Sequence, residues 1–119
     1  MKKNKILTID EAFNLAVKNH QENKTDIAED LYNQVLKINP THAIAYNNLD
    51  VIYKQLKKTQ KAREYIEKAI EIDPNYVDAY FNLGNIFKGL SELQKAREYY
   101  EKAIEINPNQ EKAYKEVKA

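Results

Sequence analysis

The sequence predicts an all-α protein built from stacked helix–turn–helix units, and three observations lead to that expectation. Pro40, Pro74 and Pro108 recur at an interval of 34 residues. Only two glycines and three prolines occur in 119 residues, which leaves little of the turn chemistry that an all-β protein needs. Apolar side chains recur at spacings of three and four, as they do on one face of an amphipathic helix.

The 34-residue interval divides most of the chain into three units. Aligning on the prolines places residues 9–42, 43–76 and 77–110 in register as units 1, 2 and 3, after a lead-in of residues 1–8. Units 2 and 3 agree at about 21 of 34 positions, far more than a shared periodicity alone would produce. We expect one domain, and we number unit positions from the first residue of each unit.

Each unit has the pattern of two amphipathic helices. In unit 3, for example, Tyr80, Leu83 and Phe87 fall on one face of the first helix. Each second helix should end at its Asn-Pro or Asp-Pro pair, because proline lacks an N–H and its ring clashes with a continuing helix. Capping boxes, in which Ser or Thr precedes Glu or Gln by three residues, predict helix starts at Thr8 and at Ser91.

The unit pattern resembles the tetratricopeptide repeat. That repeat has aromatic residues at positions 4, 11 and 24, Leu at 7, a small residue at 8, Ala at 20 and 27, and Pro at 32. Unit 3 matches throughout, with Tyr80, Leu83, Gly84, Phe87, Ala96, Tyr100, Ala103 and Pro108. Unit 2 departs at Asp50 and Ile66, and unit 1 is degenerate. The resemblance implies a right-handed α-solenoid whose first helices line a concave groove.

Residues 111–119 have the pattern of one more first helix, with Tyr114 and Val117 at its positions 4 and 7. Two interpretations remain open. The segment is either a polar cap, which repeat stacks require at their ends, or part of a fourth repeat. In either case Tyr114 and Val117 are expected to be its main apolar contacts with unit 3.

The composition argues against several functional classes. Nineteen basic and 18 acidic residues give a net charge of +1, so the basic excess of a nucleic-acid-binding protein is absent. There is no cysteine for a disulfide or a zinc–thiolate site. No apolar run is long enough for a signal peptide or a membrane span, and we therefore expect a cytoplasmic protein without membrane contact.

The chemistry of an enzyme is also missing from the pattern. His20 and His42 belong to no catalytic or metal-binding motif, and we interpret both as surface histidines. Gly84 and Gly89 have the spacing of a phosphate-binding loop, but Leu90 stands where that loop needs a lysine, and the segment is helical in pattern. We expect neither catalytic activity nor a cofactor.

The resemblance implies that an extended peptide or partner segment binds along the first helices. Asparagine occupies position 6 of every unit, and an amide can donate to and accept from a peptide backbone at once. The alternative for the apolar members of the groove is packing between neighbouring first helices. The predicted groove residues are Phe13, Asn14, Val17, Asn47, Asn48, Val51, Lys54, Phe81, Asn82, Asn85 and Lys88.

The identity of the partner is not encoded in the repeats. The chaperone-binding branch of the family binds two carboxylates of its ligand with one lysine, two asparagines and two further basic residues. The corresponding positions here hold Phe13, Val17, Asn48, Asp78 and Asn82, of which only Asn48 matches. Acidic chaperone C-termini are therefore not expected as ligands. Two other functions remain open, namely self-association through the open ends of the solenoid and a targeting role within a larger enzyme.

The departure at Asp50 gives a first testable prediction. A carboxylate at the small-residue position either stays near water or loses hydration at a cost. We expect Asp50→Ala to stabilise the protein by about 1 kcal/mol, through relief of that cost and higher helix propensity. Thermal unfolding measures the effect, and a clearly lower melting temperature would contradict it.

Overall fold

The structure is a computed structural model in which residues 6–118 are described. That part of the chain contains seven helices: α1 (Ile9–Gln21), α2 (Thr25–Ile38), α3 (Ala43–Gln55), α4 (Thr59–Ile72), α5 (Val77–Gly89), α6 (Leu93–Ile106) and α7 (Glu111–Lys118). Residues 1–5 of the predicted lead-in and residue 119 of the predicted last segment lie outside the described residues. No helix between Ile9 and Lys118 combines the length and the apolar character that crossing a membrane requires.

The helices stack in the order of the chain. The pairs α1–α2, α3–α4 and α5–α6 pack most closely, and each second helix also contacts the first helix of the next pair. The described part of the molecule is elongated as a result, with dimensions of 60 × 26 × 21 Å. The prediction of an all-α solenoid of helix–turn–helix units is confirmed.

The core is a seam of small and large residues between successive helices. Ala28, Ala62, Ala69 and Ala103 are completely buried on the second helices, where they let the neighbouring backbones come close. Rings fill the space beside them, as Tyr53 does at 0% exposure. The apolar spacing in the sequence therefore marks the face that each helix buries.

The helix ends test the predicted stop and start signals. The second helices end at Ile38, Ile72 and Ile106, immediately before the Asn-Pro or Asp-Pro pairs, as expected. The capping box at Thr8 is confirmed, since its side chain accepts from the Glu11 N–H and the Glu11 carboxylate accepts from the Thr8 N–H.

The capping box predicted at Ser91 is wrong. Ser91 adopts a left-handed conformation with φ of 61°, and the residue that precedes α6 is Glu92, whose side chain makes no capping hydrogen bond. Asn23 and Lys57 occupy the same place in units 1 and 2 with φ of 62° and 59°. Every turn within a helix pair therefore uses one left-handed residue, although none of the three is glycine.

The loops that follow the three second helices share one interaction, and the first two loops share another. A side-chain oxygen accepts a hydrogen bond from the N–H two residues later, in an Asx turn, at Asn39, Asp73 and Asn107. The tyrosine at position 4 then reaches back to the loop, since the hydroxyls of Tyr46 and Tyr80 donate to the carbonyls of Pro40 and Pro74. These bonds fix the entry of each new unit.

The two helices of unit 3 are in tight contact at position 8, where Gly84 faces Tyr100 at position 24. A Cβ atom added to Gly84 would lie 2.6 Å from Cε1 of Tyr100, so the tyrosine ring leaves room only for glycine. Unit 2 reverses these sizes, with Asp50 at position 8 and the shorter Ile66 at position 24. Both residues of unit 2 are completely buried, so a carboxylate occupies part of this contact.

Helix α7 packs against α6 as the first helix of a further unit would. Ala113 is completely buried and Val117 is partly buried, whereas Tyr114 is 39% exposed. The most buried residue of α7 is thus Ala113, which was not among the expected contacts, and Tyr114 is more exposed than Val117. The cap and the partial repeat both remain open as interpretations.

The tight contact at Gly84 predicts that substitution by alanine destabilises the protein there but not at Gly89. We expect Gly84→Ala to destabilise the protein by about 1–2 kcal/mol, because overpacking against Tyr100 outweighs a gain in helix propensity of about 1 kcal/mol. Gly89→Ala is the matched control, since its Cβ would meet no atom within 4 Å. That variant should be neutral or slightly stabilising in chemical denaturation. Equal effects of the two variants would contradict a tight contact at Gly84.

Candidate functional site

The odd-numbered helices α1, α3, α5 and α7 lie side by side, and their exposed side forms what we call the groove face. One side-chain bond joins each neighbouring pair. These bonds are His20 Nε2 to Gln55 Oε1 at 3.0 Å, Asn82 Nδ2 to Asn47 Oδ1 at 2.8 Å, and Lys88 Nζ to Glu116 Oε2 at 2.7 Å. The groove face is therefore a continuous surface that draws on all three units.

The predicted groove residues differ in exposure. Asn14 and Lys88 are exposed, whereas Asn47 is buried at 7% exposure. The others are partly buried, namely Phe13, Val17, Asn48, Val51, Lys54, Phe81, Asn82 and Asn85. Their role in binding stays a prediction, but each one except Asn47 has surface that a ligand can reach.

Hydrogen bonds link the groove asparagines to one another. Asn82 donates to Asn47 at 2.8 Å, and Asn47 donates to Asn48 at a longer 3.4 Å. Asn48 in turn donates to the Tyr32 hydroxyl at 3.1 Å. The amides of units 2 and 3 therefore form one chain, which fixes the orientation of each side chain before any ligand arrives.

Two buried tyrosines at position 24 form hydrogen bonds with asparagines of the groove face. The Tyr32 hydroxyl accepts the bond from Asn48, and the Tyr100 hydroxyl donates to Asn85 Oδ1 at 2.6 Å. The sequence pattern predicts these rings only as core residues, because it carries no information about their hydroxyl groups' partners. Unit 2 has Ile66 at the same position and so has no hydroxyl to offer.

The aromatic groove residues already bury part of their surface against other side chains of the protein. The Phe13 ring stacks on His42 with centroids 5.1 Å apart, and its edge contact with Tyr32 is at 5.9 Å. Phe81 lies 5.5 Å from the Tyr100 ring. Both rings therefore pack on the tyrosine of the second helix of their own unit, whereas the alternative interpretation placed them between neighbouring first helices. Each ring remains partly exposed.

The lysines of the groove face have carboxylate partners within the chain. Lys54 Nζ lies 3.7 Å from Asp50 Oδ2, and Lys88 Nζ lies 2.7 Å from Glu116 Oε2. The positive charge that the sequence places along this rim is therefore partly neutralised. This reduces the attraction that Lys54 and Lys88 offer to an acidic ligand.

A cleft of about 220 Å³ opens on the groove face between α3, α5 and α7, and it is lined by Asn47, Asp78, Phe81, Asn82, Gln110 and Lys112. Sequence analysis selected three of these residues for the groove. Gln110 was not predicted there, because it is the last residue of unit 3 and the groove was expected on the first helices alone. The cleft combines one partly exposed ring with amides and charges of both signs.

Asp50 lies at position 8 of the middle unit and is completely buried. Neither of its oxygens has a hydrogen-bond partner among the described residues. Burial raises the pKa of Asp50 to about 7, and the nearby Lys54 ammonium offsets only part of that rise. The side chain is thus a buried carboxyl group that gains and loses its proton near neutral pH.

Comparison with protein-family models gives two overlapping matches. The model described as "Tetratricopeptide repeat" matches residues 77–110, and the model described as "TPR repeat" matches residues 51–91. Together they span residues 51–110. Comparison with curated protein sequences gives no match.

Solved structures of the same architecture match most of the chain. The first TPR of Spaghetti (RPAP3), bound to the HSP90 peptide SRMEEVD, is 25% identical with a TM-score of 0.86, and the match covers 92% of this chain and 87% of that one. The Sgt2 TPR domain from Aspergillus fumigatus is 28% identical with a TM-score of 0.84, covering 92% and 74%. The OM64 TPR domain from Arabidopsis is 22% identical with a TM-score of 0.87, covering 92% and 91%, and shows the fold alone.

The burial of Asp50 predicts a specific pH dependence of stability. An unfolded aspartate has a pKa near 3.9, so between about pH 4 and pH 7 the folded chain keeps a proton that the unfolded chain has lost. The contribution of Asp50 therefore falls as pH rises through this window, by an amount on the order of 4 kcal/mol, and is constant above it.

The measurement is urea unfolding of the wild type and Asp50→Asn at pH 5 and pH 8. The loss of stability from pH 5 to pH 8 should be larger in the wild type than in Asp50→Asn, because only the wild type carries this carboxyl group. Parallel pH profiles for the two chains would show that Asp50 titrates normally.

Proposed function

Because the chain belongs to the tetratricopeptide-repeat family, we propose that it is a non-catalytic protein-interaction module that binds an extended segment of a partner protein along its groove face. The observation that carries this proposal is the chain of groove amides that joins Asn82, Asn47 and Asn48. These side chains are already oriented, so a ligand would not have to order them.

The amides retain hydrogen-bonding capacity for a ligand. Asn48 and Asn82 each donate one of two amide hydrogens to a neighbour, and each carbonyl oxygen has two lone pairs. A second hydrogen and at least one lone pair therefore remain on each side chain. Asn14 is exposed at the N-terminal end of the same face and extends the set to unit 1. An extended backbone, with alternating N–H and C=O groups, is a chemical match.

The dimensions of the groove face set the length of the ligand. Packed helices lie about 8–10 Å apart and an extended chain rises about 3.3 Å per residue, so three units would accommodate five or six residues. About three hydrogen bonds at ~1 kcal/mol each and one apolar side chain on Phe81 or Val51 at ~2 kcal/mol correspond to micromolar binding or weaker.

The charge of the groove face does not support an acidic chaperone C-terminus as the ligand. One solved neighbour is bound to the HSP90 peptide SRMEEVD. In this chain Asp78 stands where the chaperone-binding branch has a basic residue, and the cleft contains that carboxylate beside Lys112. We propose a segment with an apolar side chain, seated over Phe81, and a single carboxylate near Lys54 rather than an acidic run.

Self-association is a second candidate, and the ends of the stack favour it. A cavity of about 310 Å³ at the C-terminal end is lined by Lys88, Leu93, Ala96, Arg97, Tyr100, Glu116 and Val117, and Leu93 there is 66% exposed. At the N-terminal end Ile6 is 89% and Ile38 is 55% exposed. Light scattering during size-exclusion chromatography tests this candidate, since a strict monomer at high concentration would exclude it.

The groove proposal predicts the outcome of replacing three asparagines. A peptide is first selected by display against the wild-type chain, and its affinity is then measured by calorimetry. We expect Asn14→Ala/Asn48→Ala/Asn82→Ala to weaken binding at least tenfold, because the backbone hydrogen bonds of the ligand are lost.

The matched control replaces three asparagines away from the groove face, as Asn33→Ala/Asn75→Ala/Asn109→Ala, and should bind as the wild type does. Circular dichroism must show equal helix content in both triple variants. If affinity is unchanged in the groove variant, the ligand binds elsewhere on the stack.

A further inference from the structure

The centre of the groove face contains an ion pair in which only one member reaches solvent. Asp50 is completely buried, whereas the side chain of Lys54 is 27% exposed and extends over it, with Nζ 3.7 Å from Oδ2. That separation is an ion-pair distance but is too long for a good hydrogen bond. Lys54 is therefore attracted toward the interior by a carboxylate that has no hydrogen-bond donor of its own among residues 6–118.

We propose that Asp50 is a positioning residue for Lys54, and that the proton on Asp50 decides whether the Lys54 ammonium is available to a ligand on the groove face. This inference rests on the proposed function and concerns the regulation of the same site. With Asp50 ionised, Lys54 is held against the stack. With Asp50 protonated, the attraction is lost and Lys54 is free to pair with a carboxylate of the ligand.

The arrangement is specific to the middle unit. Units 1 and 3 have Ala16 and Gly84 at position 8, and both have a buried tyrosine at position 24. Unit 2 alone combines a carboxyl group at position 8 with the shorter Ile66 at position 24. Lys88 occupies the position of Lys54 in unit 3. It pairs with Glu116, whose side chain is 27% exposed, rather than with a buried acid. Among the ion pairs of residues 6–118, only that of Lys54 therefore involves a completely buried acid.

The charged and titratable groups named here on the helices that pack around Asp50 either bond to other side chains or are exposed. Glu29 on α2 accepts from the Tyr53 hydroxyl, Tyr32 on α2 bonds to Asn48, Arg63 on α4 pairs with Glu67, Tyr65 on α4 packs on Tyr53, and Asp78 on α5 is exposed in the cleft. His20 on α1 bonds to Gln55 near the end of α3. Lys54 is the one charged group of the described chain that pairs with Asp50.

The direction of the effect follows from the buried carboxyl group. Burial raises the pKa of Asp50 to about 7. Below that pH the groove face gains one unpaired positive charge, and above it the charge is neutralised. We therefore expect affinity for an acidic ligand to rise as pH falls from 8 to 6.

The first experiment needs no ligand. The lysines are reductively methylated with ¹³C-formaldehyde, the Lys54 signal is assigned with Lys54→Arg, and its chemical shift is followed by NMR from pH 5.5 to 8.5. The wild type should show an inflection near pH 7, and Asp50→Asn should show none. Since both chains contain His20 and His42, the difference between them reports Asp50. A flat Lys54 signal in the wild type, or an inflection that persists in Asp50→Asn, would overturn the proposal.

A second variant, Lys54→Gln, tests the proposal even if Asp50→Asn does not fold. The Asp50 carboxyl carbon is observed directly in ¹³C-aspartate-labelled wild type and in Lys54→Gln. Its titration midpoint should move to higher pH in Lys54→Gln, because the ammonium that favours the ionised carboxylate is gone. Identical midpoints would show that the two groups are not coupled and would also overturn the proposal.

The ligand arm uses acetyl-tetraglutamate as the probe. Its affinity for the wild type should be at least threefold higher at pH 6 than at pH 8, whereas the corresponding ratio for Asp50→Asn should be smaller. A Lys54 signal that titrates through Asp50, but does not respond to tetraglutamate at pH 6, would support the positioning role and count against the groove face as the binding site. A flat Lys54 signal rejects the positioning role whether or not the probe binds.

Discussion

In unit 3 the approach of the two helices is limited by one contact, between Gly84 at position 8 and Tyr100 at position 24. In unit 3 the Tyr100 ring leaves no space for even a methyl group on Gly84. The same ring extends toward the groove face, where its hydroxyl bonds to Asn85 and its plane supports Phe81. The packing of the core and the arrangement of the groove face thus depend on the same side chain. A change at position 8 therefore affects both stability and the surface that a ligand would meet.

The groove asparagines have a structural role as well as a proposed binding role. Asn82 and Asn47 connect α5 to α3, and Asn48 connects α3 to Tyr32 on α2. Because these amides bridge successive units, they also restrict how the units can rotate against one another. The stiffness of the groove and the orientation of its hydrogen-bonding groups therefore have a common origin, which lowers the entropic cost of binding an extended segment.

Repetition made the fold predictable, while side-chain direction limited what could be predicted of the site. The proline interval and the apolar spacing were sufficient for six paired helices, because each unit repeats the same periodic pattern. Ser91 shows where pattern fails, since a serine with glutamine three residues later matches a capping box but here adopts the left-handed turn conformation. The bond from Asn82 to Asn47 joins residues 35 positions apart and depends on rotamers, about which a sequence pattern says nothing. Asp50 could be identified as a departure from the repeat, but its complete burial and its lack of a hydrogen-bond partner among the described residues depend on three-dimensional packing.

The elongated shape has a consequence for how the molecule loses its structure. Nearly all packing joins helices that are adjacent along the chain, so each unit depends on its immediate neighbours rather than on one shared centre. Such a stack behaves as a linear series of coupled elements whose cooperativity is only as strong as its weakest junction. The buried acid lies in the middle element, where ionisation would weaken the coupling between the two ends. Under alkaline conditions the terminal units would then melt as separate segments, whereas in mild acid the whole stack would unfold as one.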